Sequence, residues 1–163
     1  MLFIVCGLPG SGKTTLSRLV SKRYDALHIS SDAVRKELFQ KPAYSDDEKE
    51  RVYDEVAERA GAALKEGRNV IIDSTCYRKA HRDRMRKLAH DAGTKSYTLL
   101  CTLPEEEIKR RLDRRKKGLS DANYQVYLKV KGRFERMEEE HVEVDCSLPR
   151  KEMLEIVENY IGG

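Results

Sequence analysis

The sequence predicts an α/β fold of three layers, a parallel sheet flanked by helices, and three observations carry that expectation. Short apolar runs alternate with stretches of about ten or more residues at helical spacing, which implies right-handed βαβ crossovers. Val70-Ile71-Ile72 is apolar at consecutive positions, as a parallel strand buried on both faces has to be. The first apolar run, Leu2 to Cys6, passes directly into a glycine-rich turn, Gly7 to Thr14, and then into a helix-like stretch. A chain of 163 residues has the size of one domain with a sizeable core, so residues 1–163 are read as a single unit whose substrate sites share one body.

The elements follow in order. Thr14 to Tyr24 reads as a helix with Leu16, Leu19 and Val20 on one face, and Ala26 to Ile29 as a short strand. Ser30-Ser31-Asp32 supplies cap residues for a helix over Ala33 to Phe39, and Pro42 marks the break after it. Ser45 with Asp46, Asp47 and Glu48 opens a helix that runs to Lys65, places Val52, Val56 and Ala60 at core spacing and stops at Gly67. The strand Val70 to Asp73 is followed by a helix over Lys79 to Ala92 that ends at Gly93. A strand over Tyr97 to Leu103 leads through Pro104, placed in the first helical turn, to a helix over Glu105 to Arg115. Gly118 interrupts the chain, and a short lid is expected over residues 111–125. Asp121 to Met137 reads as mostly helical, Val142 to Cys146 as a weak strand and Lys151 to Ile161 as the last helix.

Composition narrows the function classes. Charged residues are 37% and hydrophobic residues 39%, with a formal net charge of +4, which is compatible with phosphate-bearing substrates without demanding them. The cysteines Cys6, Cys76, Cys101 and Cys146 form no CxxC pair, so they are expected as reduced, mostly buried small residues rather than metal ligands. No apolar segment reaches the length of a membrane span and no charged leader precedes the first strand; the expected compartment is the cytoplasm, with no obligate protein partner evident.

The chemistry begins at Gly7-Leu8-Pro9-Gly10-Ser11-Gly12-Lys13-Thr14, a full match to the phosphate-binding loop G-x-x-x-x-G-K-[ST], or P-loop. Glycines let the backbone turn its N–H groups onto a phosphate, and the following helix adds its positive end. The expected ligand is ATP with Mg²⁺: Gly7 to Thr15 line the nucleotide, Lys13 reaches the β- and γ-phosphates, and the Thr14 hydroxyl is a metal ligand. Asp73 ends an apolar strand in the manner of a Walker B carboxylate, the second expected Mg²⁺ group. Asp32 and Arg35, three apart on the first turn of one helix, are candidates for a general base and an acceptor anchor; read blandly they are a cap and a solvated arginine. Arg111 and Arg115 share a face of the helix that buries Ile108 and Leu112, where they would close on the triphosphate.

With these segments in the same order, GLPGSGKTT, SSDAVRKELF, the acidic helix with Tyr44-Ser45 and Val52-Tyr53, VIIDST and RRLDRR, the chain resembles small P-loop kinases related to polynucleotide 5′-hydroxyl kinases, over nearly its whole length. The wider group includes predicted kinases, gluconate-type sugar kinases, antibiotic phosphotransferases and zeta-type toxins. The resemblance implies a three-layer P-loop NTPase fold with a short helical lid and ATP-dependent phosphoryl transfer to a hydroxyl. It gives Asp32 the role of base, Arg35 a contact to the phosphate beside the acceptor, and a lid arginine a contact to ATP. Alignment on Ile108 and Leu112 favours Arg111 and Arg115 for the lid, while a shift of one residue favours Arg110 and Arg114.

Two further features bear on the acceptor. Arg78, Lys79, Arg82, Arg84, Arg86 and Lys87 form a basic stretch after Asp73 that is either a track for a nucleic-acid backbone or a solvated helix face over Met85 and Leu88. Tyr44 and Tyr77 are candidates for stacking on a base or for plain packing, and His28, His81, His90 and His141 form no recognisable catalytic set. A nucleic-acid 5′-hydroxyl is the favoured acceptor, with a small sugar, nucleoside or antibiotic hydroxyl as the alternative and a nucleotide-dependent ATPase switch as the reading from another class.

Overall fold

A computed structural model describes residues 1–114 and 123–163. Five strands, β1 (Leu2–Cys6), β2 (Ala26–Ser30), β3 (Asn69–Asp73), β4 (Ser96–Thr102) and β5 (Val142–Asp145), form one sheet in the order β2-β3-β1-β4-β5. Every pairing is parallel, with Leu2 opposite Val70 and Ser96, and Ser30 opposite Asp73. The helices are α1 (Lys13–Tyr24), α2 (Ser31–Leu38), α3 (Asp46–Lys65), α4 (Lys79–Asp91), α5 (Glu105–Asp113), α6 (Tyr124–Arg133) and α7 (Arg150–Gly162).

Strand periodicity divides β1 between two cores. Leu2, Ile4 and Cys6 face α3 and α4 through Val52, Val56, Ala60, Met85 and Ala89. Phe3 and Val5 face α1 and α7 through Leu16, Val20, Met153 and Val157. All of β1 is fully buried, and each large side chain there stabilises the fold by roughly 1.5–3 kcal/mol relative to exposure. Because α1 leaves β1 toward one face and α4 leaves β3 toward the other, the crevice beyond the carboxyl ends of these neighbouring strands is where a ligand is expected in such a sheet. This is the three-layer P-loop NTPase fold.

Several boundaries differ from the sequence reading. Ser30 is the cap of α2, its Oγ accepting from the Ala33 N–H at 3.4 Å, so Asp32 stands inside the first turn and is not the cap. Pro104 is the cap residue of α5 rather than a member of its first turn. The helix expected to reach Arg115 ends at Asp113, and Arg115 with Gly118 lies outside the described residues. The helix expected to reach Met137 stops at Arg133, because the following chain turns extended: the Glu135 N–H bonds the Tyr77 carbonyl, and the Glu135 and Arg136 carbonyls accept from Arg82. Among the described residues no helix is long and apolar enough to cross a membrane.

Candidate active site

The loop between β1 and α1 adopts a conformation that depends on glycine. Gly10 and Gly12 have φ of +81° and +101°, in the left-handed region where a Cβ is strained. A Cβ on Gly12 would stand 2.8 Å from the Cys146 Cβ, and one on Gly7 would stand 2.8 Å from the Cys101 carbonyl oxygen. The ends of β4 and β5 therefore press directly on the loop. Ile108 and Leu112 of α5 close over Gly10, and Leu8 packs on the same small cluster with Tyr127 of α6. Lys13 Nζ donates to the Leu8 carbonyl at 3.0 Å, which folds its charge across the mouth of the loop. Ser11 Oγ is buried with no hydrogen-bond partner, a polar atom left over by the fold in a place built for an anion.

Thr14 Oγ1 donates to Asp73 Oδ2 at 2.8 Å, and His28 Nε2 lies 3.1 Å from the same oxygen. Burial acts first on the Asp73 carboxyl and would raise it; the His28 and Thr14 hydrogen bonds and the Lys13 charge outweigh it and hold Asp73 below the usual carboxylate range. A hydroxyl and an ionised carboxylate at the mouth of a phosphate loop are hard oxygen donors, which suits Mg²⁺ shared with phosphates. Among the described residues no cluster of three or more His, Cys, Asp or Glu forms a self-sufficient metal cage. The two protein groups thus fit a metal that arrives with a nucleotide.

Of the segment expected as a lid, residues 111–125, only 111–114 and 123–125 fall within the described residues. Arg111 Nη1 reaches within 3.6 Å of the position a Gly12 Cβ would take, and its Nε donates to Glu107 Oε1 at 3.0 Å. Arg110 turns to the exposed side and pairs with Glu107. Of the two registers left open by the sequence, the one with Arg111 points at the loop.

Asp32 is half-buried on the first turn of α2, one residue beyond Ser31 and close to the end of β2 that pairs with Asp73. Arg35 is buried, and its Nη1 donates to Glu48 Oε1 at 2.7 Å. The other Glu48 oxygen accepts from the Ala43 N–H at 2.7 Å. Arg35 also lies under the Tyr44 ring, 4.8 Å from its centroid, with Tyr44 held at a left-handed φ of +57°. In this arrangement Arg35 and Glu48 clamp the connection between α2 and α3.

The basic stretch resolves into helix packing and surface pairs. Arg82 is fully buried, pairs with buried Glu139, and donates to the Cys76 carbonyl at 2.9 Å. Arg84 pairs with Asp54 at 2.7 Å, Lys87 with Asp91 at 2.6 Å, and Lys79 with Asp83. Sequence reasoning missed His28, Glu48 and the Arg82–Glu139 pair, whose partners are distant in sequence. The one local signal was a histidine inside the short strand, two residues before Ser30, which puts it on the face of Ser30 and so, through the β2–β3 register, of Asp73.

Residues 2–137 match the AAA domain family, and the chain belongs to that family. It is 29% identical over 92% of its length to an uncharacterised protein of Mycobacterium tuberculosis and spans about a third (32%) of that relative. It is 27% identical over 79% of its length to the L-seryl-tRNA(Sec) kinase of Methanococcus maripaludis and spans about half (52%) of it. Among solved structures it is similar to a sugar kinase from Janibacter, with a TM-score of 0.76 and 21% identity over 99% of this chain and 94% of that one.

Proposed function

We propose that this member of the AAA domain family is an ATP-dependent kinase that moves the γ-phosphate to an acceptor hydroxyl. The contact between Thr14 and Asp73 beneath the loop carries the reading, because it joins a phosphate cradle to an ionised carboxylate at the switch point of the sheet. The loop backbone and Ser11 hold the β- and γ-phosphates, and Lys13 swings from the Leu8 carbonyl to neutralise them. Thr14 and Asp73 are the groups that would hold Mg²⁺, which neutralises phosphate charge when bound. Asp32 takes the proton of the attacking hydroxyl, and Arg111 covers the transferring group from the lid side. Arg35 acts through Glu48, positioning the wall formed by Tyr44.

The acceptor that the geometry supports best is a small hydroxylated compound. Within α4, Lys79, Arg84 and Lys87 are paired with carboxylates and Arg82 is withdrawn from the surface, so the helix face itself offers a polynucleotide backbone few of the free cations such binding uses. The sugar kinase likeness in fold is consistent with this. A polynucleotide 5′-hydroxyl is the second reading, supported by the Asp-x-x-Arg element.

Transfer from γ-labelled ATP with Mg²⁺ to a 5′-hydroxyl oligonucleotide, beside sugars, nucleosides and hydroxylated antibiotics, tests both. Asp32→Ala is expected to abolish transfer while keeping ATP binding. ATP hydrolysis with label in no hydroxyl compound would overturn the kinase reading in favour of a nucleotide switch.

A further inference from the structure

Three cations from three separate elements surround one buried tyrosine ring. Lys49 Nζ of α3, the Arg78 guanidinium before α4 and the Arg133 guanidinium at the end of α6 lie 5.8, 5.5 and 5.9 Å from the Tyr77 centroid. Tyr77 is only 7% exposed, and it follows Asp73 by four residues on the loop whose Thr75 carbonyl accepts from the Gly7 N–H. The cluster therefore sits on the loop that borders the phosphate cradle.

Among the described residues the ion pairs of the three cations are shared or long, and the nearby Glu135 carboxylate is engaged by the Lys79 backbone N–H. Asp46 is shared by Lys49 at 3.2 Å and Arg133 at 3.8 Å, while Arg78 reaches Glu50 only at 3.7 Å, and Glu50 also faces His81 at 3.2 Å. Lys49 first, by its hydrogen bond, and then Arg133 and Arg78 hold the Asp46 carboxyl below the usual range, so one carboxylate is exposed to three positive charges. Three cations held on rigid elements repel one another, and an anion between them relieves that repulsion with charge-assisted hydrogen bonds. Arg35, the residue the sequence offered for this role, has its Nη1 engaged with Glu48.

We infer that Lys49, Arg78 and Arg133, converging on Tyr77, bind an anionic group of the acceptor, so that the substrate is a hydroxyl compound that also carries a phosphate or carboxylate. This rests on the kinase reading and narrows it. The guanidinium forks fix the orientation of the anion, the Tyr77 ring supplies a floor, and the hydroxyl is left to face Asp32 and the γ-phosphate. The site selects on charge rather than on sugar shape.

The test has two arms. In the first, protein saturated with Mg²⁺ and a non-hydrolysable ATP analogue, which blocks the P-loop, is titrated with inorganic phosphate and separately with acetate while amide and arginine side-chain NMR signals are followed. Phosphate or acetate is expected to shift Arg78, Arg133 and Tyr77, and Arg133→Gln and Lys49→Gln are each expected to weaken the stronger binder about tenfold, the equivalent of one charge-assisted hydrogen bond. In the second, matched acceptors with and without the anion, glycerol 3-phosphate beside glycerol and gluconate beside glucose, are compared for label transfer; the preferred pair tells phosphate from carboxylate. The two variants are expected to raise the KM of the charged acceptor without changing the KM of ATP. Anion affinity unchanged in both variants, or equal use of charged and uncharged acceptors, overturns the inference. Anion binding that depends on the cluster, with no phosphoryl transfer to any acceptor, would sink the kinase reading and leave the anion site standing.

Discussion

Thr14 Oγ1 and Asp73 Oδ2 stand 2.8 Å apart across 59 residues of sequence, and this one hydrogen bond joins the first turn of α1 to the end of β3. Parallel pairing of β1 with β3 brings the two ends level, with Val5 opposite Asp73, so the contact follows from sheet register and not from any flexible reach. His28 adds a second hydrogen bond to the same oxygen from the next strand.

Asp73→Asn keeps the size of the side chain and removes its charge. It is expected to lower kcat/KM by about a hundredfold or more and to raise the Mg²⁺ concentration needed for half-maximal rate, since the group proposed to share the metal is then neutral. Steady-state rates across a Mg²⁺ series measure it; an unchanged Mg²⁺ dependence would remove Asp73 from the metal site. Its partner His28→Asn is expected to have a smaller effect in the same direction, visible in the same series.

Gly12 and Gly67 separate strain from crowding. Gly67 has φ +77° and nothing within 4 Å of the place a methyl would take, so Gly67→Ala meets left-handed strain alone and is expected to cost about 1 kcal/mol with activity intact. Gly12→Ala meets similar strain and also the Cys146 Cβ at 2.8 Å, which follows directly on β5, is tied to the Thr102 carbonyl by its N–H and has little room to retreat. It is expected to destabilise by more than Gly67→Ala and to abolish nucleotide binding. Denaturant unfolding and analogue titration of the two proteins decide this.

Arg82→Ala leaves the Glu139 carboxylate buried without its partner and is expected to cost about 3–5 kcal/mol. Arg86→Ala removes an exposed partner of Asp83 at 3.6 Å and is expected to change stability by no more than about 0.5 kcal/mol. Equal effects in thermal unfolding would contradict the division of this stretch into a buried member and a solvated face.

Stability is expected to fall in two steps as pH is lowered. His81 is buried against Tyr53, its ring 3.8 Å from the tyrosine centroid, and burial depresses its pKa more than Glu50 restores it. A histidine with a folded pKa below its unfolded one contributes stability above about pH 6.5 that is lost as pH falls through that folded value. For Glu48 and Glu139 burial acts first and would raise the carboxyl, but the Ala43 N–H and Arg35 on one, and Arg82 on the other, hold them below the ordinary glutamate range. Their contribution is complete above about pH 4.3 and is lost as pH falls through their folded values. Thermal midpoints from pH 8 to about pH 3 measure both steps, and His81→Phe, which keeps a ring against Tyr53, is expected to remove the upper one.

Sequence alone determined what depends on near neighbours. The phosphate loop, the alternation of strand and helix, the strand ending in Asp73 and the cap at Ser45 are all written within about ten residues, because glycine freedom, side-chain periodicity and capping act over that range. Tertiary structure decided what depends on which elements meet. Arg35 and Arg82 read locally as available cations, and packing gave them Glu48 and Glu139, since a guanidinium drawn into the interior requires a carboxylate to compensate its lost hydration. The same docking of α3, α4 and α6 gathered Lys49, Arg78 and Arg133 around Tyr77 from positions 84 residues apart at the extremes, a grouping that no local spacing encodes.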